Sequence, residues 1–194
     1  TFNNSDIKIT DATVKADKLN TVAGYTSGSV IATLEAATTI DDATVTTLVA
    51  VNSSDIISLT SSVTTADATA LVSLADKVAT VNGIAFASVK TITETSATDV
   101  VSALNIAGND AAATITGAIS AASADAIADA TSGVVTAVVT AGTAAALNAA
   151  LVDSGAQVNA YTLTVSDTGS VKATDLTGLD GKTSVAVVTT ATDI

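Results

Sequence analysis

Eight short apolar runs recur along the chain at intervals of about two dozen residues, and this spacing limits the fold more than any other feature. The runs are Asp6–Thr10, Val30–Glu35, Ile56–Thr60, Ile84–Lys90, Ala112–Gly117, Thr136–Thr140, Ala160–Ser166 and Ser184–Thr189. With Lys8, Ala32, Ser58, Ala87, Thr114, Val138, Leu163 and Val187 as centres, the steps are 24, 26, 29, 27, 24, 25 and 24 residues. A period in this range is the mark of a solenoid, whose units bury their apolar faces only by stacking on their neighbours.

The segments between the runs read as short capped helices. In Val63–Val78, Thr65 stands where an N-cap belongs, Asp67 falls in the first turn, and Ala70, Leu71, Leu74 and Val78 form an apolar stripe. Thr95–Leu104, Ser123–Ala130 and Gly142–Leu151 follow the same plan, as does the shorter Ala173–Leu179. Asp17–Val22 and Asp41–Val49 are ambiguous, because Thr and Val weaken helix propensity. Gly83, Gly108, Gly133, Gly155 and Gly181 are placed to close helices before the next strand. The expectation is an α/β repeat: one solenoid segment over residues 1–194, of about eight strand–short-helix coils, with a parallel sheet along one face and right-handed crossovers. The alternative is an all-β parallel helix in which the capped segments are further strands and corners.

The apolar material fits narrow repeating layers. It is 48% of the chain, yet almost all of it is Ala, Val, Ile and Leu, with Phe2, Tyr25, Phe86 and Tyr161 the only aromatics. Stiff β-branched side chains favour a pleated surface. Nineteen acidic residues against seven lysines and no arginine give a net charge of −12, which excludes the cationic surface that nucleic acid requires and disfavours anionic membranes. The absence of Cys removes disulfides and thiolate chemistry. The chain carries no Met and no signal-peptide pattern, and reads as a processed product or a segment of something longer. Ala130–Val152 has no charge over a length that could span a bilayer, but it holds Thr, Ser, Gly and Asn, lacks a basic flank and stays in register with the repeat, so no membrane insertion is expected.

Tyr161–Lys182 contains a V-x-A-x-D-L-x-x-L-D core, formed by Val171, Ala173, Asp175, Leu176, Leu179 and Asp180, and the chain closes on VVTTATDI. These last 35 or so residues resemble the degenerate Thr/Ala/Val-rich repeats of very long marine cyanobacterial cell-surface proteins and cyanophage structural proteins. Over the rest of the chain the resemblance is compositional. It implies a cell-surface or virion structural protein.

Chemistry-bearing candidates are few. Asp17, Asp41, Asp42, Asp67, Asp99, Asp125 and Asp175 recur near the starts of helical segments. Repeated carboxylates there are read first as caps that complement helix dipoles, and second as calcium ligands; the weak calcium candidates are Asp41, Asp42, Asp67, Asp99, Asp125 and Asp175. Ser5-x-x-Lys8 and Lys182–Ser184 resemble fragments of the penicillin-interacting enzymes, but Ser5 precedes a strand pattern and no Ser-Asp-Asn element lies between them. Paired carboxylates such as Asp41–Asp42 raise glycoside hydrolysis, against which stand the missing aromatic platforms, His and Arg. Asn3 and Asn52 begin sequon-like triplets, read as coincidental. The expectation is a non-catalytic structural module with no cofactor. It would lie outside the cell, on the cell surface or in a virion. Its partners would be other copies or neighbouring segments of the same long chain stacked end to end. The alternative is a receptor- or glycan-binding fibre or adhesin, a class that can carry bound calcium.

Overall fold

Alternating apolar residues set the strands, and the strands pair in parallel. In Val30–Leu34 the side chains of Val30, Ala32 and Leu34 are buried while Ile31 and Thr33 point outward, as a period of two requires. The computed structural model describes residues 4–35, 39–60, 63–78, 89–108, 110–152 and 158–194. They fall into two compact units, Thr1–Ile92 with Asn105–Gly108 and Thr93–Leu104 with Asn109–Ile194.

The first unit carries β1 (Ile7–Lys8), α1 (Ala16–Ala23), β2 (Val30–Leu34), β3 (Thr39–Ile40), α2 (Asp42–Thr47), β4 (Ile56–Leu59), β5 (Thr65–Asp67) and α3 (Ala68–Lys77). Strands β1, β2 and β4 form one parallel ladder, with Ile7 opposite Val30 and Ile31 opposite Ile56; β3 and β5 pair separately, with Thr39 opposite Thr65. β6 (Thr91–Glu94) and α4 (Val100–Ala107) lie at the division between the units. The second unit holds β7 (Ala112–Ile119), α5 (Ala121–Asp129), β8 (Val135–Val139), α6 (Ala144–Ala150), β9 (Ala160–Thr162), β10 (Thr164–Val165), α7 (Ala173–Asp180) and β11 (Val188–Thr189). There β7, β8 and β9 pair in parallel, and β10 pairs with β11. Partners in these ladders stand 20 to 26 residues apart in sequence, close to the step of the sequence repeat.

The fold is therefore α/β with parallel sheets, and the all-β alternative is set aside because the capped segments are helices. Two details depart from expectation. Each unit contains two separate ladders where the repeat suggested a single strand per step, and the extra strands β3, β5 and β10 are only two or three residues long. In β7 the register slips between Ile115 and Ala118, so Thr116 and Gly117 bulge. The apolar run at Ile84–Lys90 lies largely outside the described residues, as do Gly83 and Gly155; the next strand, β6, begins at Thr91. The uncharged stretch Ala130–Val152 resolves into β8 and α6, and no helix among the described residues is long and apolar enough to cross a membrane.

The core lies between strand and helix. Leu19, Leu34, Ile40, Leu48, Ile57, Leu71 and Leu74 are fully buried in the first unit, and Leu104, Ile127 and Leu163 in the second. Each such side chain contributes about 1.5–3 kcal/mol by leaving water. Ala66, Ala68 and Ala70 are also fully buried, and their small side chains let α3 lie close to the strands.

Candidate functional site

Most of the acidic row is accounted for by the helix starts. The Asp41 carboxylate accepts the Thr44 N–H at 2.9 Å and the Thr44 hydroxyl at 2.7 Å, and Asp67 accepts the Ala70 N–H at 3.0 Å. Asp67 is thus the cap of α3, while Thr65, expected in that role, sits in β5. Asp17, Asp42 and Asp175 occupy first turns, where the helix dipole favours a negative charge. Asp99 precedes α4 in the left-handed region (φ 61°), and its carbonyl accepts the Ala103 N–H. Asp125 differs: α5 begins at Ala121 behind a Ser120 cap, which puts Asp125 a turn inside the helix. The hydroxyl of Thr44, and then its N–H, hold the Asp41 carboxyl below the usual carboxylate range. Among the described residues no three acidic side chains converge as metal ligands. Ser5 lies ahead of β1 and Lys8 within it, so the Ser-x-x-Lys pair opens no helix. Of the glycines expected to end helices, Gly108 follows α4 with φ 103° and Gly181 closes α7, whereas Gly133 serves packing instead.

A cleft in the second unit gathers Asp125, Leu151, Asn159, Tyr161 and Lys182. Its space of about 10 Å³ is open on one side and holds roughly one water. The Tyr161 hydroxyl donates to the Ala124 carbonyl at 3.2 Å, and the Lys182 ammonium donates to the Leu151 carbonyl. These groups tie α5 to β9 and the end of α6 to the turn after α7. In sequence, Asn20 of α1 stands where Asp125 stands in α5, and its amide oxygen accepts the Ala50 N–H at 2.6 Å.

The polar side chains that sequence reasoning missed lie at the corners between helix and strand. Thr26 donates its hydroxyl to the Ser5 carbonyl at 2.5 Å and accepts the Gly28 N–H at 2.9 Å. Thr131 does the same with Ala111, at 2.6 Å, and Gly133, at 2.9 Å. Glycine is required at both corners: a Cβ on Gly28 would lie 2.5 Å from the Ser5 carbonyl oxygen, and one on Gly133 would lie 2.6 Å from that of Ala111. A shift of 105 residues aligns Thr26, Ser27, Gly28, Val30 and Ala32 with Thr131, Ser132, Gly133, Val135 and Ala137. One repeat further on, buried Asp55 accepts the Val30 N–H at 2.7 Å and buried Asn159 accepts the Val135 N–H at 3.0 Å. Thr183 donates to the Tyr161 carbonyl at 2.7 Å, and Asp167 accepts the Ala144 N–H at the start of α6 at 2.7 Å. The signal for these corners was the tripeptide Thr-Ser-Gly, present twice just ahead of a Val-initiated strand.

In comparison with known proteins, no family model matches the chain, and neither a curated protein nor a solved structure matches it.

Proposed function

We propose that this chain is a non-catalytic structural repeat module, a solenoid of stacked strand–helix coils that serves as a filament, layer or fibre subunit or spacer. It would act outside the cell, on the cell surface or in a virion, and its partners would be other copies or neighbouring segments of the same long chain. The observation that carries this reading is where the polar side chains at the corners go. Thr26, Asp55, Thr131, Asn159 and Thr183 each bond backbone 20 to 25 residues away, joining one repeat to the next. Side chains held this way are unavailable for turnover, and they resist separation of the repeats. Immunogold labelling of intact producing cells or virions with an antibody against this chain tests the location: label on the outer surface is expected, and label confined to the cell interior would remove the reading.

A receptor- or glycan-binding fibre is the second reading. Tyr25, 52% exposed, is the only exposed aromatic ring among the described residues and sits beside the Thr26 corner. Glycan-array binding that is lost in Tyr25→Ala would move the assignment to this class.

A further inference from the structure

We propose that the outward face of the sheet in the second unit binds ice, holding lattice water on a repeating array of threonine hydroxyls. The inference goes beyond the structural-module reading and does not depend on it.

The strands of the second unit are uncharged from end to end. In a chain with 19 acidic residues, none of β7, β8, β9, β10 and β11 contains an acidic or basic residue, whereas β1 carries Lys8 and β5 carries Asp67. Alternation buries Ile115, Ala137, Tyr161 and Leu163 in the core and turns the residues between them outward. Thr114, Thr136 and Ala160 stand opposite one another in one cross-strand row, and Val138 and Thr162 in the next.

The threonines of this face differ from those at the corners. Thr26, Thr131 and Thr183 commit their hydroxyls to backbone. The hydroxyls of Thr114, Thr136, Thr140, Thr162 and Thr164 bond no other group among the described residues. Each side chain is β-branched, so χ1 is stiff and the hydroxyl is held in place before anything binds. Neighbouring strands set such groups about 4.8 Å apart, and alternate residues along a strand about 6.7 Å apart. Water oxygens repeat at comparable distances on the faces of ice. Methyl groups stand between the hydroxyls, among them those of Val138, which is 43% exposed, and they offer water no hydrogen bond. Water over this face therefore bonds to the hydroxyls and to other water, as it does in a lattice.

Other occupants fit less well. An ionic partner would bring charges that nothing on this face answers. A protein surface laid here would strip water from the hydroxyls, and each one left without a new partner costs free energy. A sugar would find no aromatic ring, because Tyr161 faces inward and is buried. Ice satisfies the same hydroxyls with the molecule that already solvates them.

Ice binding is read directly on the full chain, as a gap between the melting and freezing points of a single ice crystal and as faceting of that crystal. The parent chain should open a gap that widens with concentration, and should facet the crystal. Thr136→Lys puts a charge within the array; it should keep the parent's circular dichroism and lose the gap. Ala145→Lys makes the same charge change on the exposed side of α6 and should keep the gap. Val138→Lys serves if Thr136→Lys fails to fold. A folded parent chain with neither gap nor faceting, a folded array variant as active as the parent, or an equal loss in Ala145→Lys would each overturn the proposal. So would sedimentation that finds a dimer of the parent chain dissolved by Thr136→Lys, since the face would then pair two copies. A chain without a freezing gap leaves the surface location standing, and interior labelling of cells leaves the ice measurements standing, so the two failures are distinct.

Discussion

The corner at Thr26–Gly28 and the corner at Thr131–Gly133 share one device, and they differ in what surrounds them. Both place a threonine hydroxyl between the carbonyl of the preceding repeat and the N–H two residues on. Both press a glycine against backbone, and both are followed by a strand whose first N–H is capped from the next repeat. The differences are Asp55 against Asn159 in that capping position, and Ser29 against Val134 beside the glycine. Contacts common to both units are those the repeat needs in order to stack; the positions that vary are ones where more than one side chain satisfies the same geometry.

The largest effect is expected at the glycines. Gly28→Ala and Gly133→Ala each force a methyl into backbone that cannot swing aside, and each should cost about 3 kcal/mol, the upper part of the overpacking range. Gly169→Ala, with open space around it, should be neutral. Denaturant melts of the three variants check this, and unequal losses at Gly28 and Gly133 would break the equivalence of the two corners. Next come the caps. Asp55→Ala orphans the buried N–H of Val30 and also removes the acceptor of the more exposed Asn52 N–H, and should cost about 2–3 kcal/mol, against about 1–1.5 kcal/mol for Asn159→Ala, where a neutral acceptor is lost.

A smaller change of opposite sign is expected at Ser29. Its hydroxyl oxygen is buried with no partner among the described residues, and the matching residue in the second unit is Val134. Ser29→Val should therefore raise stability by about 1 kcal/mol, read as a higher denaturant midpoint at unchanged slope. The smallest effect concerns acid. Because the folded-state value of Asp41 is depressed, the stabilisation of α2 is fully present above the ordinary carboxylate value of about 4 and is lost as pH falls through the lowered value. Amide exchange in Asp42–Thr47 should rise over that window, and Asp41→Asn, which still caps, should flatten the dependence.

Much of this was legible in the sequence, for physical reasons that vary by element. β2, β4 and β8 stand out because an alternating run of four or five residues carries its own period. The helix starts were legible because capping is local, within three residues, although at α3 the neighbouring Thr65 competed with Asp67. β3, β5 and β10 were not, since two or three residues carry no period. The roles of Asp55, Asn159 and Thr131 were hidden because their partners lie 20 to 25 residues away and are backbone groups, which leave no trace in residue identity. The helical pattern at Ser123–Ala130 begins two residues inside α5, which sets Asp125 near a helix start that it does not occupy.

The central claim is that successive repeats lie side by side as parallel strands in a fixed register, and the absence of native cysteine makes it directly measurable. Thr136 and Ala160 face each other in β8 and β9, as Thr33 and Ser58 do in β2 and β4. Neighbouring strands about 4.8 Å apart fall within the Cα separation that a disulfide tolerates, whereas a partner two residues out of register on the same face does not. Under mild oxidation, Thr136→Cys with Ala160→Cys should cross-link quickly, and Thr136→Cys with Thr162→Cys slowly. The Thr33 and Ser58 pair should follow the faster course. Equal rates for the aligned and the displaced pairs would contradict the parallel register on which the account stands.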